Sequence, residues 1–304
     1  MTAGNALANA LADAFADGRF VVTAEVVPPV SADPDALLER ARPLAGRVDA
    51  VNVPDAAGAR VAMASLASAA LLKQAGIEPV MQLVCRDRNR IAVQGDLLGA
   101  AALGVRNVLL LHGDAPAAGD QPEAKPVFDY DSRDAIEVLR VMRDQAVLPS
   151  GRTLGAAPPL LIGTADTPID PPAGWTPAKL MAKADAGADF IQTQFCFDAG
   201  LAHRYIAALA DAGLTGRMKL LLGVGPVASA KSARWMNAHL FGVSVPDGWI
   251  DRLERAGDPA EEGAALCADL IAGLGDIPEL AGIHLMAPAG GAAAIARVLD
   301  RIGR

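Results

Sequence analysis

A single carboxylate interrupts the most apolar segment near the start of the chain. Glu25 lies within Val21–Val27, where every other residue is valine, threonine or alanine. Burying a carboxylate among such neighbours is costly unless the group is paired or protonated, and loss of water around it raises its pKa toward the range of a working acid. We therefore predict that Glu25 is a catalytic acid. The alternative is a carboxylate that a buried arginine or backbone amides satisfy.

Three more polar residues stand at the ends of apolar runs. Asp114 follows Gly113, and a glycine lets a ligand approach the backbone closely; an aspartate that caps a helix or a turn is the alternative. Gln192 and Gln194 are two residues apart, so they share one face of a strand. Each amide offers both a donor and an acceptor to a polar ring. Gln194, at the strand end, is the stronger candidate for ligand binding, although either could instead bond to a neighbouring strand.

The remaining candidates are open to a structural interpretation. His112 and His284 also stand at strand ends, where a ligand contact and a structural hydrogen bond are both possible. Lys183 ends a predicted helix, a position typical of a solvated cation that offsets the helix dipole. The three cysteines and four histidines are dispersed without metal-ligand spacing, so we predict no metal site.

Alternating strands and helices would position these residues. After a first predicted strand at residues 20–27, short apolar runs recur seven times, each followed by a helical segment. Eight such units predict a single α/β domain over residues 1–304, a (β/α)8 TIM barrel whose strand ends meet at one mouth. A doubly wound open sheet is the main alternative. The seven later strands are predicted at residues 50–53, 79–84, 108–111, 159–162, 190–194, 219–222 and 282–286.

The helices complete this prediction. Leu7, Leu11 and Phe15 recur every four residues, which predicts a lead-in helix that ends at Gly18. Ser31 or Asp33 would cap the helix after the first strand, and the segment 246–274 would hold extra helices before the last strand. The other helices are predicted at residues 63–75, 90–103, 132–144, 177–186, 201–212, 230–241 and 291–302.

The composition excludes several classes of function. The net charge of −8, with 27 basic and 35 acidic residues, is unlike a nucleic-acid-binding surface. We find no signal peptide and no apolar run long enough to span a bilayer, so we expect no membrane partner and a cytoplasmic location. An odd number of scattered cysteines fits a reducing compartment.

Several of these segments, in this order, resemble the methylenetetrahydrofolate reductase family over roughly residues 18–303. The resemblance is to the bare catalytic barrel, without the regulatory domain of animal members. It is carried by Ala24-Glu25-Val26-Val27-Pro28-Pro29, Leu111-His112-Gly113-Asp114-Ala115-Pro116, Asp185-Ala186-Gly187-Ala188, Thr193-Gln194-Phe195 with Phe197-Asp198, and Gly223-Val224-Gly225-Pro226-Val227.

The resemblance implies a function and a role for individual residues. It implies that NAD(P)H, with NADH favoured, reduces a bound FAD, which reduces 5,10-methylenetetrahydrofolate to 5-methyltetrahydrofolate. Glu25 would be the acid that opens the five-membered ring to a 5-iminium cation, Asp114 would hold the pterin and set the charge near the flavin, and Gln194 would bond to the pterin edge. Lys183 would meet the flavin phosphates. The cofactor-binding residues implied are Gln82, His112, Gly113, Asp114, Asp131 and Lys183.

The chain departs from the family pattern at three places near the expected flavin. His112 and Ala182 stand where arginines are common, and Ala230 stands where an aromatic platform is common, for which Trp235 or Trp249 could substitute. The alternatives are therefore direct hydride transfer from NADH without flavin, or a folate-linked barrel that transfers methyl groups or only binds its ligand. The resemblance also implies a homo-oligomer.

Overall fold

Eight parallel strands close into a barrel in chain order, β1 to β8, with β8 paired to β1. The structure is a computed structural model, and it describes residues 10–275 and 277–304. The predicted (β/α)8 architecture is confirmed. The strands are β1 (Val21–Glu25), β2 (Ala50–Val53), β3 (Pro79–Val84), β4 (Asn107–Leu111), β5 (Leu161–Asp166), β6 (Phe190–Phe195), β7 (Lys219–Val224) and β8 (Leu280–Leu285).

Helices surround this barrel and fill the segments between strands. The extra helices expected before the last strand are present as α9 and α10, and Asp33 caps α2 by accepting a hydrogen bond from the Asp35 amide at 3.0 Å. The helices are α1 (Ala10–Ala16), α2 (Pro34–Ala41), α3 (Ser65–Gln74), α4 (Arg90–Ala102), α5 (Ser132–Gln145), α6 (Ala178–Ala186), α7 (Ala199–Asp211), α8 (Ala230–His239), α9 (Asp247–Arg255), α10 (Pro259–Gly273) and α11 (Gly291–Arg301).

The lead-in helix α1 closes the amino-terminal end of the barrel. Leu11, Ala14 and Phe15 are buried, and the Phe15 ring lies 6.1 Å from the Phe190 ring inside the barrel. Leu7, which the sequence pattern also assigned to this helix, lies outside the described residues. Because apolar side chains fill this end, the opposite, carboxyl-terminal end of the strands is left to hold a cavity.

The predicted position of the fifth strand is wrong. We expected a strand at residues 159–162, but β5 spans Leu161–Asp166, four residues further at its end. Pairing of Leu161–Gly163 with β4 and of Gly163–Asp166 with β6 carries the strand past the end predicted for it. Gly163 is required there, since a Cβ atom on it would lie 2.3 Å from the Phe190 ring. The glycine thus marks a close approach inside a strand, and not a strand end.

The first strand is shorter than predicted at both ends. Phe20 and Val27 lie outside β1 and are 40% and 47% exposed. Glu25 is consequently the last residue of β1, at the mouth of the barrel. In the part of the chain that the structure describes, no helix is both long and apolar enough to cross a membrane.

Candidate active site

Glu25 lies in a cavity at the carboxyl-terminal mouth of the barrel. The cavity has a volume of about 370 Å³ and contains the side chains of Glu25, Gln82, Gln192, Gln194 and His284 in its wall; we call it the Glu25 cavity. Burial raises the pKa of Glu25 from 4.5 to about 7, and a hydrogen bond from Gln82 acts in the opposite direction. Gln82 Nε2 donates to Glu25 Oε2 at 3.2 Å. Near neutral pH the carboxyl group can therefore both hold and release a proton.

A second cavity adjoins the first and contains most of the predicted cofactor-binding residues. Its volume is about 500 Å³, and five residues line both cavities: Gln82, Leu111, Ala165, Thr167 and Gln194. We call it the Lys183 cavity. The structure thus brings five of the six predicted cofactor residues to one place: Gln82, His112, Gly113, Asp114 and Lys183.

The turn after β4 brings Asp114 to this cavity. Gly113 adopts a φ of +96°, and a Cβ atom on it would lie 3.0 Å from the Cβ atoms of Val84 and Arg86, so the turn requires glycine. Asp114 Oδ2 accepts a hydrogen bond from the Gly58 amide at 3.1 Å. That contact ties the loop after β4 to the loop after β2 and leaves the rest of the exposed carboxylate available to a ligand.

The two glutamines of β6 line the Glu25 cavity together, as their spacing predicts. Their environments differ, since Gln192 is only 2% exposed and bonds to Asn52 and Thr23. Gln194 is partly exposed, and its Oε1 accepts a hydrogen bond from the Phe195 amide at 2.9 Å. Because that bond orients the side-chain amide, Gln194 is the better placed of the two for recognising a ligand edge.

Lys183 extends from α6 to the end of β5. Its Nζ donates to the Ala165 carbonyl at 2.7 Å, and burial lowers its pKa. The neighbouring strand residue, Asp166, accepts a short hydrogen bond from the Tyr205 hydroxyl. Lys183 therefore lies inside the site, and the alternative of a solvated helix terminus does not describe it.

The other predicted residues lie around the rim of the Lys183 cavity. The exposed His112 ring stacks on Phe128 with 4.3 Å between centroids. Asp131 is the N-cap of α5 and accepts a hydrogen bond from the Asp134 amide at 2.8 Å, while its neighbour Ser132 lines the cavity. Asp131 thus has a structural role that the sequence interpretation did not assign to it.

Neither tryptophan stands at the cavities. Trp235, on α8, stacks on His239 with 4.9 Å between centroids, and Trp249, on α9, packs edge-on against Phe197 at 5.3 Å. The residues that line the two cavities include neither. The idea that one of them replaces the aromatic platform at Ala230 is therefore not supported by their positions.

The donor set of the Lys183 cavity fits FAD by its chemistry. The Lys183 ammonium group could meet a phosphate, the Ser132 hydroxyl could add a hydrogen bond, and the amides of Gln82 and Gln194 could meet the edge of a ring. Gly113 allows a close approach to the backbone. Lys183 has two further N–H donors besides the one that bonds to the Ala165 carbonyl.

Sequence reasoning missed three residues that shape the site. Asp166 lies beyond the strand predicted at residues 159–162, so it was not recognised as a residue at a strand end. Thr23 and Asn52 are buried polar residues of β1 and β2 that lie under the Glu25 cavity. Asn52, a lone polar residue in a strand of three apolar ones, was a detectable signal, whereas a buried threonine in a β-strand is too common to stand out. Within residues 10–275 and 277–304, no group of three or more acidic, histidine or cysteine side chains is placed to hold a metal ion.

Comparison with known proteins identifies the family of the chain. Residues 10–303 match the sequence profile of the methylenetetrahydrofolate reductase family. The chain belongs to this family. A Caenorhabditis elegans relative named "Probable methylenetetrahydrofolate reductase (NADPH)" is 27% identical over 234 residues, which cover 74% of the chain and 32% of that relative. "Methylenetetrahydrofolate reductase 2" of Schizosaccharomyces pombe is 27% identical over 191 residues, 59% of the chain and 28% of that relative. The chain thus spans about a third or less of the reductases that it matches.

Solved structures support the fold. A Clostridium thermocellum protein, described as binding two copies of 5-methyl-5,6,7,8-tetrahydrofolic acid, superposes with a TM-score of 0.62 and 11% identity, over 98% of this chain and all of that one. The spore cortex-lytic enzyme SleL of Bacillus cereus superposes with a TM-score of 0.50 and 10% identity, over 93% of this chain and 74% of that one. At these identities the likeness concerns the barrel alone.

Proposed function

We propose that the chain reduces 5,10-methylenetetrahydrofolate to 5-methyltetrahydrofolate with a hydride that comes from NAD(P)H, NADH being favoured. The observation that carries the proposal is Glu25, a carboxyl group with a pKa of about 7 in the wall of a cavity at the barrel mouth. Membership of the methylenetetrahydrofolate reductase family supports the choice of reaction.

Glu25 acts as the general acid in this proposal. Its proton goes to the nitrogen that leaves when the five-membered ring of the substrate opens, the carbon–nitrogen bond breaks, and a 5-iminium cation remains. The cation then accepts a hydride at its exocyclic carbon to give the methyl group. Glu25 must be protonated before the ring opens, and its raised pKa supplies that form near neutral pH.

Asp114 and Gln194 bind the pterin in this proposal. The carboxylate of Asp114 suits the guanidine-like edge of the ring, and the oriented amide of Gln194 offers a hydrogen bond to the same edge. Both residues line the Lys183 cavity, and Gln194 also lines the Glu25 cavity. The pterin ring would then lie where the two cavities meet, beside Gln194, which lines both.

FAD, as the resemblance implies, is the proposed carrier of the hydride between the nicotinamide and the folate. Gln82, His112, Gly113, Asp114, Asp131 and Lys183 would hold it, with Lys183 at the phosphates. When bound, FAD supplies two-electron chemistry at the barrel mouth.

Direct hydride transfer from NADH to the folate is the second candidate, and one observation favours it. The Arg86 guanidinium at the Lys183 cavity is already bound to the Asp87 carboxylate, with its Nε 2.7 Å and Nη2 2.6 Å from the two oxygens. Among the described residues that line this cavity, Lys183 is then the cation without a carboxylate partner. Charge-assisted hydrogen bonds to phosphate are the strong ones, and a diphosphate would find one available cation here.

The absorption spectrum of the purified protein distinguishes the two candidates. The visible bands of oxidised flavin, lost on addition of NADH and restored by methylenetetrahydrofolate, would support FAD. A colourless protein that cannot be reconstituted with FAD, yet consumes NADH with methylenetetrahydrofolate, would support direct transfer. A protein that binds folate but oxidises no NADH, with or without FAD, would contradict both candidates. The remaining hypothesis would then be a barrel that only binds folate or transfers methyl groups.

The role of Glu25 is tested by Glu25→Gln. We expect a loss of folate turnover of at least ~100-fold, because a carboxamide cannot donate the proton. Oxidation of NADH by FAD, or binding of NADH if flavin is absent, should be largely unchanged. If folate turnover also survives, Glu25 is not the proton donor.

Self-association of the chain is part of the same proposal, and light scattering of the purified protein measures it.

A further inference from the structure

Four buried polar side chains lie next to one another inside the barrel, under the Glu25 cavity. They are Thr23 of β1, Asn52 of β2, Gln192 of β6 and His284 of β8, and none is more than 3% exposed. The proposed reaction gives a role to none of them. Burying four polar groups in a mainly aliphatic interior is costly unless their hydrogen bonds are made, so the pattern of those bonds shows how they are arranged.

The amides of Asn52 and Gln192 form a reciprocal pair. Asn52 Nδ2 donates to Gln192 Oε1 at 2.6 Å, and Gln192 Nε2 donates to Asn52 Oδ1 at 3.1 Å. The second N–H of Gln192 Nε2 donates a hydrogen bond to Thr23 Oγ1, also at 3.1 Å. The pair therefore fixes which group faces Thr23: it is an N–H donor.

This arrangement favours one tautomer of His284. Its Nδ1 lies 2.9 Å from Thr23 Oγ1 and 3.5 Å from Gln192 Nε2. Thr23 accepts from Gln192, and its own hydroxyl proton can be donated either to Nδ1 at 2.9 Å or to the Ile283 carbonyl at 3.4 Å. The shorter distance favours donation to Nδ1, and an N–H on Nδ1 would face the N–H of Gln192. We infer from these contacts that Nδ1 is the acceptor and that the proton is on Nε2. Burial also lowers the pKa of His284 to about 3, so the ring is uncharged at neutral pH.

The Nε2 side of the ring is left for a ligand. His284 lines the Glu25 cavity, and Nε2 has no hydrogen-bond partner among the residues that the structure describes. We propose that His284 is a further substrate-binding residue whose Nε2–H donates a hydrogen bond to a carbonyl oxygen of the planar heterocycle held in this cavity. The inference rests on the proposed function, in which the pterin and the nicotinamide carboxamide both carry such an oxygen.

An uncharged donor suits this cavity better than a cation would. A positive charge near Glu25 would favour the carboxylate and lower the pKa of the acid. A neutral imidazole can orient the ring while leaving Glu25 protonated. Thr23, Gln192 and Asn52 act through His284 and are positioning residues.

Nitrogen-15 NMR of histidine-labelled protein tests the tautomer without any activity measurement. The chain has four histidines, and the His284 signals are those that His284→Gln removes. We expect Nε2 to be protonated and Nδ1 not, with no titration between about pH 5 and 9. Thr23→Val removes the hydroxyl donor but keeps the Gln192 N–H beside Nδ1, so the Nε2–H tautomer should persist with a shifted Nδ1 signal. A proton on Nδ1 in the unaltered protein, or a ring that titrates in this range, overturns the inference.

Ligand titrations identify which carbonyl is bound. Saturation with 5-methyltetrahydrofolate and, separately, with NAD⁺ should move the Nε2 signal with one of the two ligands. For the substrate whose carbonyl is bound, folate or nicotinamide nucleotide, we expect His284→Leu to raise KM by about 10- to 100-fold, as for the loss of a buried hydrogen bond. His284→Gln, which keeps a donor, should restore part of this loss, and the exposed His203→Gln is the matched control.

The outcomes separate this inference from the proposed function. A protein that binds neither folate nor nicotinamide nucleotide contradicts the proposed function. A protein that binds and turns over both while the Nε2 signal stays unmoved by either ligand contradicts the His284 contact alone. An equal loss in His284→Gln and His284→Leu, confined to kcat, also overturns it, because a missing carbonyl contact should appear in KM.

Discussion

The acidity of Glu25 sets the expected pH dependence of the reaction. Burial raises its pKa to about 7, and the ring-opening step needs the protonated form. The kcat/KM for methylenetetrahydrofolate should therefore fall as the pH rises through 7, while the dissociation constant of NADH stays nearly constant. A profile that is flat between about pH 6 and 9 would show that another group donates the proton.

The hydrogen bond from Gln82 lowers the pKa of Glu25. Gln82 Nε2 donates to Glu25 Oε2 at 3.2 Å, and the bond favours the carboxylate. Gln82→Leu removes the donor and adds apolar surroundings, so the alkaline limb of the kcat/KM profile should move to higher pH. The limb should stay in place in His203→Gln. A shift to lower pH in Gln82→Leu would contradict the assigned direction.

The same group links stability to pH. The pKa of Glu25 in the folded protein lies above its ordinary value of 4.5, so folding favours the protonated form. Its contribution to stability is full below about pH 4.5 and is lost as the pH rises through 7. Glu25→Gln should therefore increase the free energy of unfolding above pH 7, by up to about 3 kcal/mol. Urea unfolding at pH 5 and pH 8 measures this, and a gain at pH 5 that equals the gain at pH 8 would contradict it.

At the scale of elements, glycine allows the loops after β7 and β8 to approach closely at the mouth. A Cβ atom on Gly225 would lie 1.9 Å from the Met286 carbonyl oxygen and 2.8 Å from the Phe195 ring. Gly225→Ala should lower the free energy of unfolding by at least ~2 kcal/mol, because backbone must move. Gly248→Ala, in α9 with no atom within 4 Å of the new Cβ, is the control and should be neutral or stabilising. Equal melting temperatures for the two variants would contradict the close approach.

The elements also show where sequence reasoning works. Strands buried on both faces appear as apolar runs between helices, and β2 and β3 were placed residue for residue. β5 was not, because Gly163 and Thr164 are typical of a loop when the Phe190 ring that requires the glycine is unknown. A strand that owes its composition to a partner distant in the sequence cannot be located from its own residues.

At the scale of the whole molecule, α1 closes the barrel. Phe15 is 7% exposed and packs near Phe190 in the barrel interior. Phe15→Ala should lower the free energy of unfolding by about 3–5 kcal/mol, as for other large buried aromatic residues. Phe241→Ala, at a side chain that is 87% exposed, is the control and should change it by no more than about 0.5 kcal/mol. Equal effects of the two changes in denaturant unfolding would show that α1 does not contribute to the core.

The candidate site was predictable only in part, because the closure of the whole barrel decides which of its residues meet. The barrel brings all strand ends to one mouth, so Glu25, Asp114 and Gln194 could be grouped from their positions at strand ends. Their partners could not, since the contacts join residues far apart in the chain. Gln82 is 57 residues from Glu25, and Gln192 is 140 residues from Asn52. Such pairs depend on the stagger of the closed barrel, which no local pattern encodes.

The Asn52–Gln192 pair has a consequence for the two halves of the chain. β2 and β6 are four strands apart in a closed ring of eight, so the pair spans the full width of the barrel. A cut in the loop between α5 and β5 would give two half-barrels of four strands each, with one member of the pair in each. Either fragment alone would expose its interior face and leave its amide without this counterpart, whereas mixing them would restore both bonds. The pair thus makes each half a template for the other, and separately produced fragments should regain the barrel only as a complementing pair.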